Sequence, residues 1–246
     1  REGKLLKRYA HLSTGNYTPM TARFYTDLSH LTADPALTAD VEHVFVHLAG
    51  QSKLPRLNRL WLAPFQLHRK LIEKIESLGA AAAAGKSARL VAKMNALTDE
   101  AIIRALIAAG QQGVKIDLIV RGACMLPAQL PGQTANIRVR SLIGRFLEHA
   151  RVFYFREGEQ EEVYLSSADW MNRNMLRRVE LAWPVLDPAL RQRIVDECLV
   201  AGLHDVQGSW ELQPDGRYQR VRPASGRGGP GAQEALMARY GRREAR

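Results

Sequence analysis

Between Arg59 and Gly122 short apolar runs alternate with helical patterns, and this alternation constrains the fold more than any other feature of the chain. Leu60-Trp61-Leu62-Ala63, Arg89 to Asn95 and Val114 to Val120 read as strands. Pro64 suits the first turn of a helix running to about Leu78, and Asp99 to Ala109 reads as a second helix, closed by Gly110. Parallel neighbours need crossover connections, so a strand–helix–strand–helix–strand order predicts a largely parallel sheet covered by helices. Ligands of such sheets gather beyond the carboxyl ends of the strands, where Asn95 and Arg121 are expected.

On the N-terminal side, Tyr9 to Leu12 reads as a strand that enters a turn, Ser13-Thr14-Gly15-Asn16-Tyr17. Thr21 to Asp27 reads as a second strand. Thr38-Ala39-Asp40 is expected to cap a helix that buries Val41, Val44, Phe45 and Leu48, and Gly50 to Leu57 reads as a linker. On the C-terminal side, Ile137 to Ser141 is a further strand. The apolar runs after His149 and before Ser166 predict a hairpin across a charged turn, Arg156 to Glu162. Pro188 to Leu203 predicts a helix with Leu190, Ile194, Val195 and Leu199 inward. From about Pro214 the chain turns Arg- and Gly-rich, which predicts disorder before a weak terminal helix.

An internal repeat organises these pieces. Leu12-Ser13-Thr14-Gly15-Asn16-Tyr17 is echoed by Leu165-Ser166-Ser167-Ala168-Asp169-Trp170 at an offset of 165 − 12 = 153, and the same offset aligns Asp27 with Glu180. Two similar α/β halves facing each other across one site are expected. The counterpart of His149 would then fall before Arg1. With no initiator Met ahead of Arg1-Glu2-Gly3-Lys4, the chain reads as a fragment of a longer protein.

The formal net charge of +10 favours a polyanionic partner, whether nucleic acid, an anionic membrane surface or a phosphate-rich substrate. No apolar run approaches the roughly 20 residues of a bilayer span, and Cys124 and Cys198 lack metal-ligand spacing, so free thiols in a reducing cytoplasm are expected. His149 and Arg151 form an H-x-R pair that strand alternation places on one face. An imidazole can attack phosphorus or donate a proton, and a guanidinium offers a fixed fork for phosphate oxygens. Asn16, Ser166 and Ser167 are the accompanying candidates for phosphate contact. Arg121-Gly122 could bring a second guanidinium to a strand end, and Tyr25 either stacks on a nucleobase or packs in the core. His43 and His47 lack a third ligand, so no metal site is expected from them; Gly79 to Ser87 has the wrong spacing and follows a helix, so it is not a phosphate loop.

With these residues in view, the chain resembles the C-terminal part of bacterial polyphosphate kinases, whose two halves are phospholipase D-like. The resemblance runs from about residue 5 to about 205. It rests on Tyr-Ala-His-Leu-Ser-Thr-Gly-Asn-Tyr from Tyr9, Thr-Ala-Arg-Phe-Tyr-Thr-Asp from Thr21, Leu-Ile-Val-Arg-Gly-Ala-Cys from Leu118, Leu-Glu-His-Ala-Arg-Val from Leu147, and Tyr-Leu-Ser-Ser-Ala-Asp-Trp-Met-Asn-Arg-Asn from Tyr164. It implies an α/β fold of two phospholipase D-like halves with mixed, largely parallel sheets. Residues 1–58 would close a first catalytic domain truncated at its N-terminus, 59–213 would form the second, and 214–246 would be a basic tail.

The implied activity is reversible transfer of the terminal phosphate of ATP to inorganic polyphosphate through a phosphohistidine, with the nucleophilic His in an H-x-K segment upstream. Tyr25, Arg121 and His149 would contact ATP, His149 being the catalytic residue within this chain. Mg2+ is implied, its ligands upstream, as are ATP/ADP and polyphosphate as partners and a homo-oligomeric, cytoplasmic enzyme with peripheral membrane association. Nucleic acid is not expected. The alternatives are a phospholipase D-like phosphodiesterase or nuclease, and a non-catalytic polyanion-binding module.

Overall fold

A computed structural model describes residues 6–50, 53–223 and 228–241. The N-terminal half carries β1 (Ala10–Ser13), a short α1 (Pro19–Ala22), β2 (Tyr25–Thr26), β3 (Ser29–Thr32) and α2 (Pro35–Leu48). The expected strand over Thr21 to Asp27 is therefore mostly a helical turn, capped by Thr18, followed by two extended residues. α2 also starts earlier than expected. Asp34, not Thr38, caps it by accepting the Leu37 N–H at 2.8 Å, with Pro35 at the first helical position. Its buried stripe is Leu37, Thr38, Asp40 and Val44, while Phe45 and Leu48 face outward.

Asp40 is fully buried, and its carboxylate accepts the backbone N–H groups of Asn58, Arg59 and Leu60 at 2.6–3.0 Å. One helix of the first half thereby pins the start of the second. Of the expected linker, Gln51 and Ser52 lie outside the described residues, and Leu57 is buried.

The second half is built on β4 (Trp61–Ala63), α3 (Leu67–Ala83), β5 (Ala88–Met94), α4 (Glu100–Gln111), β6 (Lys115–Val120), β7 (Ile137–Leu142), β8 (Leu147–Glu148), β9 (Arg151–Glu157), β10 (Gln160–Ser166), α5 (Asn172–Leu176) and β11 (Glu180–Pro184). Pro64 follows a cis peptide bond in the turn before α3 rather than opening the helix, and α3 runs past Leu78. Gly110 lies inside α4, where a Cβ would stand 3.1 Å from Ile137; Gly113, at φ +105°, makes the turn instead. The chain closes with α6 (Pro188–Ile194), a π-helical stretch Val195–Val200, α7 (Ala201–His204), β12 (Ser209–Leu212), β13 (Tyr218–Arg220) and α8 (Ala232–Gly241). Leu190 is exposed, contrary to expectation, while Leu199 is buried. The tail expected to be disordered thus contains a strand and a docked helix; residues 224–227 and 242–246 lie outside the described residues.

The main sheet has nine strands in the order β13-β12-β7-β6-β5-β9-β10-β11-β4. It is mixed, as expected, but parallel pairing is confined to β7-β6-β5. The β9-β10 hairpin lies antiparallel to β5 and turns tightly at Gly158, so the strands reach further into the charged segment than expected. One layer of the core, with Leu71, Ile75, Leu90, Leu106 and Phe153, lies under α3 and α4. The other, with Leu37, Leu62, Val152, Leu165 and Trp183, joins the two halves.

The repeat holds in three dimensions. β1 and β3 pair antiparallel with Ser13 opposite Ser29, and β10 and β11 pair antiparallel with Ser166 opposite Ala182, both partners shifted by 153. Asp34-Pro35 opens α2 as Asp187-Pro188 opens α6, with Asp187 accepting the Leu190 N–H.

Candidate active site

The two repeated turns converge on a cleft of about 450 Å3, lined by Thr14, Asn16, Tyr25, Arg121, His149 and Glu180 among others. Each half builds the same hydroxyl–acid unit. Thr14 Oγ1 donates to Asp27 at 2.9 Å and accepts the Leu28 N–H at 3.0 Å. Ser167 Oγ donates to Glu180 at 2.5 Å and accepts the Leu181 N–H at 3.1 Å. Gly15 leaves room for this acid, since a Cβ on it would lie 2.1 Å from the Asp27 carboxylate as placed.

His149 belongs to the second half but is held by the first. Its Nδ1 is 2.9 and 3.1 Å from the two oxygens of Asp27, and its backbone N–H donates to Thr26 Oγ1. Parallel pairing of β2 with β8 brings these segments together. The Tyr25 ring stands 4.7 Å from the imidazole and tilted to it by 43°. An acid on one imidazole nitrogen fixes the orientation of the ring.

Arg151 shares the face of His149, as alternation requires, but its fork is already used. It donates to both Asp169 oxygens at 3.3 and 2.8 Å and to the Thr14 carbonyl at 3.0 Å, with Nη1 also 3.1 Å from His149 Nε2. It is buried, with its fork spent on these acceptors, and it also lines the cleft. Burial pushes the Asp169 carboxyl up, but the Arg151 guanidinium, aided by the Asn95 N–H groups, outweighs this and holds it below the usual carboxylate range. Ser166 is withdrawn from the site. It is fully buried, donating to the Leu181 carbonyl and accepting the Ala168 N–H.

Asn95 and Arg121 lie where the sheet topology places them, at the carboxyl ends of β5 and β6. Arg121 Nε donates to Asn95 Oδ1 at 3.1 Å, and its terminal nitrogens have no partner among the described residues. Asn16 and Ser167 also line the cleft. Sequence reasoning passed over Arg173, Asn174 and Arg178. Asn174 Nδ2 donates to Glu180 at 2.8 Å, while exposed Arg173 and Arg178 line the same cleft. The available signal was the repeat itself, since an offset of 153 maps Tyr25 onto Arg178.

Behind His149, Lys93 and Glu148 form a buried ion pair at 2.5 Å. Burial works against both charges. The attraction outweighs it, raising the Lys93 amine and lowering the Glu148 carboxyl, so both stay ionised.

The described residues contain no group of three His, Cys, Asp or Glu placed to hold a metal. Each acid of the cleft is engaged by protein donors: Asp27 by Thr14 and His149, Asp169 by Arg151 and Asn95, and Glu180 by Ser167 and Asn174.

The polyphosphate kinase C-terminal domain 2 family matches residues 60–232, and polyphosphate kinase C-terminal domain 1 matches residues 1–54. The chain belongs to the polyphosphate kinase family. Polyphosphate kinases of Paraburkholderia phytofirmans and Burkholderia cenocepacia are 52% and 50% identical over 96% of the chain. The chain spans about a third, 34%, of the length of each. Among solved structures, the polyphosphate kinase of Porphyromonas gingivalis is 36% identical, with a TM-score of 0.91, over all of this chain and 37% of that one.

Proposed function

We propose that this chain forms one part of the reaction centre of a polyphosphate kinase, reversibly transferring the terminal phosphate of ATP to inorganic polyphosphate through a phosphohistidine. The observation that carries the reading is the duplicated acid. Asp27 with Thr14 holds His149, and Glu180 with Ser167 and Asn174 makes the same unit in the same cleft with no histidine in front of it among the described residues. The 153-residue repeat calls for a second imidazole there, from a segment preceding Arg1. That imidazole is the nucleophile, and Glu180 is the acid that orients it.

The nucleophile attacks the γ-phosphorus in line. The P–O bond to ADP breaks as the N–P bond forms, and the leaving oxygen departs towards His149. His149, oriented by Asp27, donates a proton to that oxygen or balances the charge there. The unpartnered ends of Arg121 neutralise phosphate oxygens directly. Arg151 acts at one remove, keeping His149 and Asp169 in register. Tyr25 gives the base or ribose a flat apolar face beside His149, while Arg173 and Arg178 give the cleft the charge that suits the polyanion.

Mg2+ belongs to the family reading, but the acids of this cleft do not fit as its ligands, and no step here depends on it. A homo-oligomeric, cytoplasmic enzyme that associates peripherally with membranes completes the reading, supported by the family resemblance and the net charge of +10. The test is H149A in the kinase with the family's preceding segments, given ATP labelled at the γ-position. Polyphosphate synthesis is expected to fall by orders of magnitude; near-normal synthesis would remove His149 from the mechanism.

A further inference from the structure

We infer that α8 is a positioning strap for the proposed reaction, with Gln233 as the residue that fixes the segment leading into His149. This rests on the reading of His149 given above. The Gln233 side chain pairs with Phe146 as a neighbouring strand would: its Oε1 accepts the Phe146 N–H at 2.9 Å and its Nε2 donates to the Phe146 carbonyl at 2.9 Å. The same Nε2 donates to Glu148 at 2.7 Å, joining the ion pair with Lys93. Glu148 also accepts from Thr26, whose hydroxyl oxygen receives the His149 N–H. One amide thus holds the residues three and one before the histidine.

The sequence and packing are built around this contact. Gly144 makes room for it, because a Cβ there would stand 2.4 Å from Gln233 Oε1. Both ends of α8 are anchored. Asp205 accepts the Ala232 N–H at 2.6 Å, and Arg239 pairs with Glu197 at 3.3 Å. Between helix and body lies a largely apolar cavity of about 460 Å3, lined by Leu142, Phe146, Cys198, Leu236 and Met237. On this side the contacts that tie the 144–148 segment to α8 include these directed hydrogen bonds. Loss of the Gln233 amide orphans a backbone pair and a carboxylate, freeing the segment to shift by the fraction of an ångström that proton transfer does not tolerate.

The experiment uses the kinase with the family's preceding segments, carrying Q233A or G144A. It compares steady-state kinetics with amide hydrogen exchange at Phe146 and with thermal unfolding. Both variants are expected to speed Phe146 exchange and lower kcat about 10-fold, the low end of what loss of a hydrogen-bond partner costs a metal-ligating side chain. KM for ATP should stay close to the parent value, and the midpoint should fall by a few degrees while the variants remain folded at the assay temperature. A merely structural helix would lower the midpoint and leave kcat per folded molecule intact, which overturns the inference. So would faster Phe146 exchange with unchanged kcat, or unchanged exchange in Q233A. H149A separates this inference from the reading beneath it: an active H149A removes the role of His149, whereas Phe146 exchange in Q233A reports the strap directly.

Discussion

His149 Nδ1 lies 2.9 Å from Oδ1 of Asp27, a residue 122 positions earlier in the other half of the chain. The imidazole and the acid that sets its orientation belong to different repeats, so the cleft works only when both halves are assembled. D27N keeps the shape but exchanges a charged acceptor for a neutral amide. In the intact kinase it is expected to lower kcat about 10–100-fold with little change in KM for ATP. Steady-state kinetics beside a thermal melt would check this, and an unchanged kcat in a folded variant would count against the assignment.

Tyr25 stands beside His149 and is expected to pack on the base or ribose of ATP. Stacking of a base on an aromatic side chain contributes about 1–3 kcal/mol. Y25A should therefore raise KM for ATP roughly 5- to 150-fold at that energy, while Y25F should stay close to the parent. If Y25A and Y25F behave alike, the hydroxyl rather than the ring carries the contact.

The neighbouring hydroxyls Ser166 and Ser167 have separate duties. Ser166 is sealed in the core, so S166A should destabilise the fold by about 1–3 kcal/mol and leave kinetic constants of the folded enzyme unchanged. Ser167 holds Glu180, so S167A should lower kcat with a smaller effect on stability. Denaturant titration paired with kinetics separates the two; kinetic impairment confined to S166A would reverse these roles.

The Arg151–Asp169 pair predicts a direction for pH dependence. A carboxyl held below its ordinary range binds its proton less readily in the folded state than in the unfolded chain. Its contribution to stability is fully present above an unfolded value of about 3.9 and drains away as pH falls through the lower folded value. D169N leaves Arg151 buried without its anion, which should cost about 3–5 kcal/mol at neutral pH. Urea titrations should show this gap between parent and variant narrowing as pH drops below about 4. A gap independent of pH would show that the pair is not ionised.

How much of this was legible beforehand depended on distance along the chain. The hydroxyl turns repeat in sequence because each performs the same local task, so the pseudo-symmetry could be read from Leu12–Tyr17 and Leu165–Trp170 alone. The strand–helix alternation gave β4 to β6 for the same reason. What failed were properties fixed by distant partners. The β9-β10 hairpin inserts antiparallel beside β5, a neighbour about 60 residues away that no local pattern announces. Phe45 and Leu48 fit a helical stripe, yet the buried face of α2 is set by where Asp40 meets residues 58–60. Nor does any local pattern announce the partners of Arg151 and Ser166, the Asp169 carboxylate and the Leu181 carbonyl. The Arg- and Gly-rich composition after Pro214 hid α8, whose anchors, Phe146, Glu148, Asp205 and Glu197, all lie far from it in sequence.

The Asp40 carboxylate, gathering three consecutive N–H groups at the entrance to the second half, has a bearing on traffic through the cleft. Bonds of this kind to a buried charge contribute about 1.5–3 kcal/mol each, and a hinge at this junction would have to break them together. The halves therefore behave as a closed jaw with its joint locked. Ligands of the proposed reaction are therefore expected to enter through the open side of the cleft, past the exposed Arg173 and Arg178, rather than by a parting of the halves.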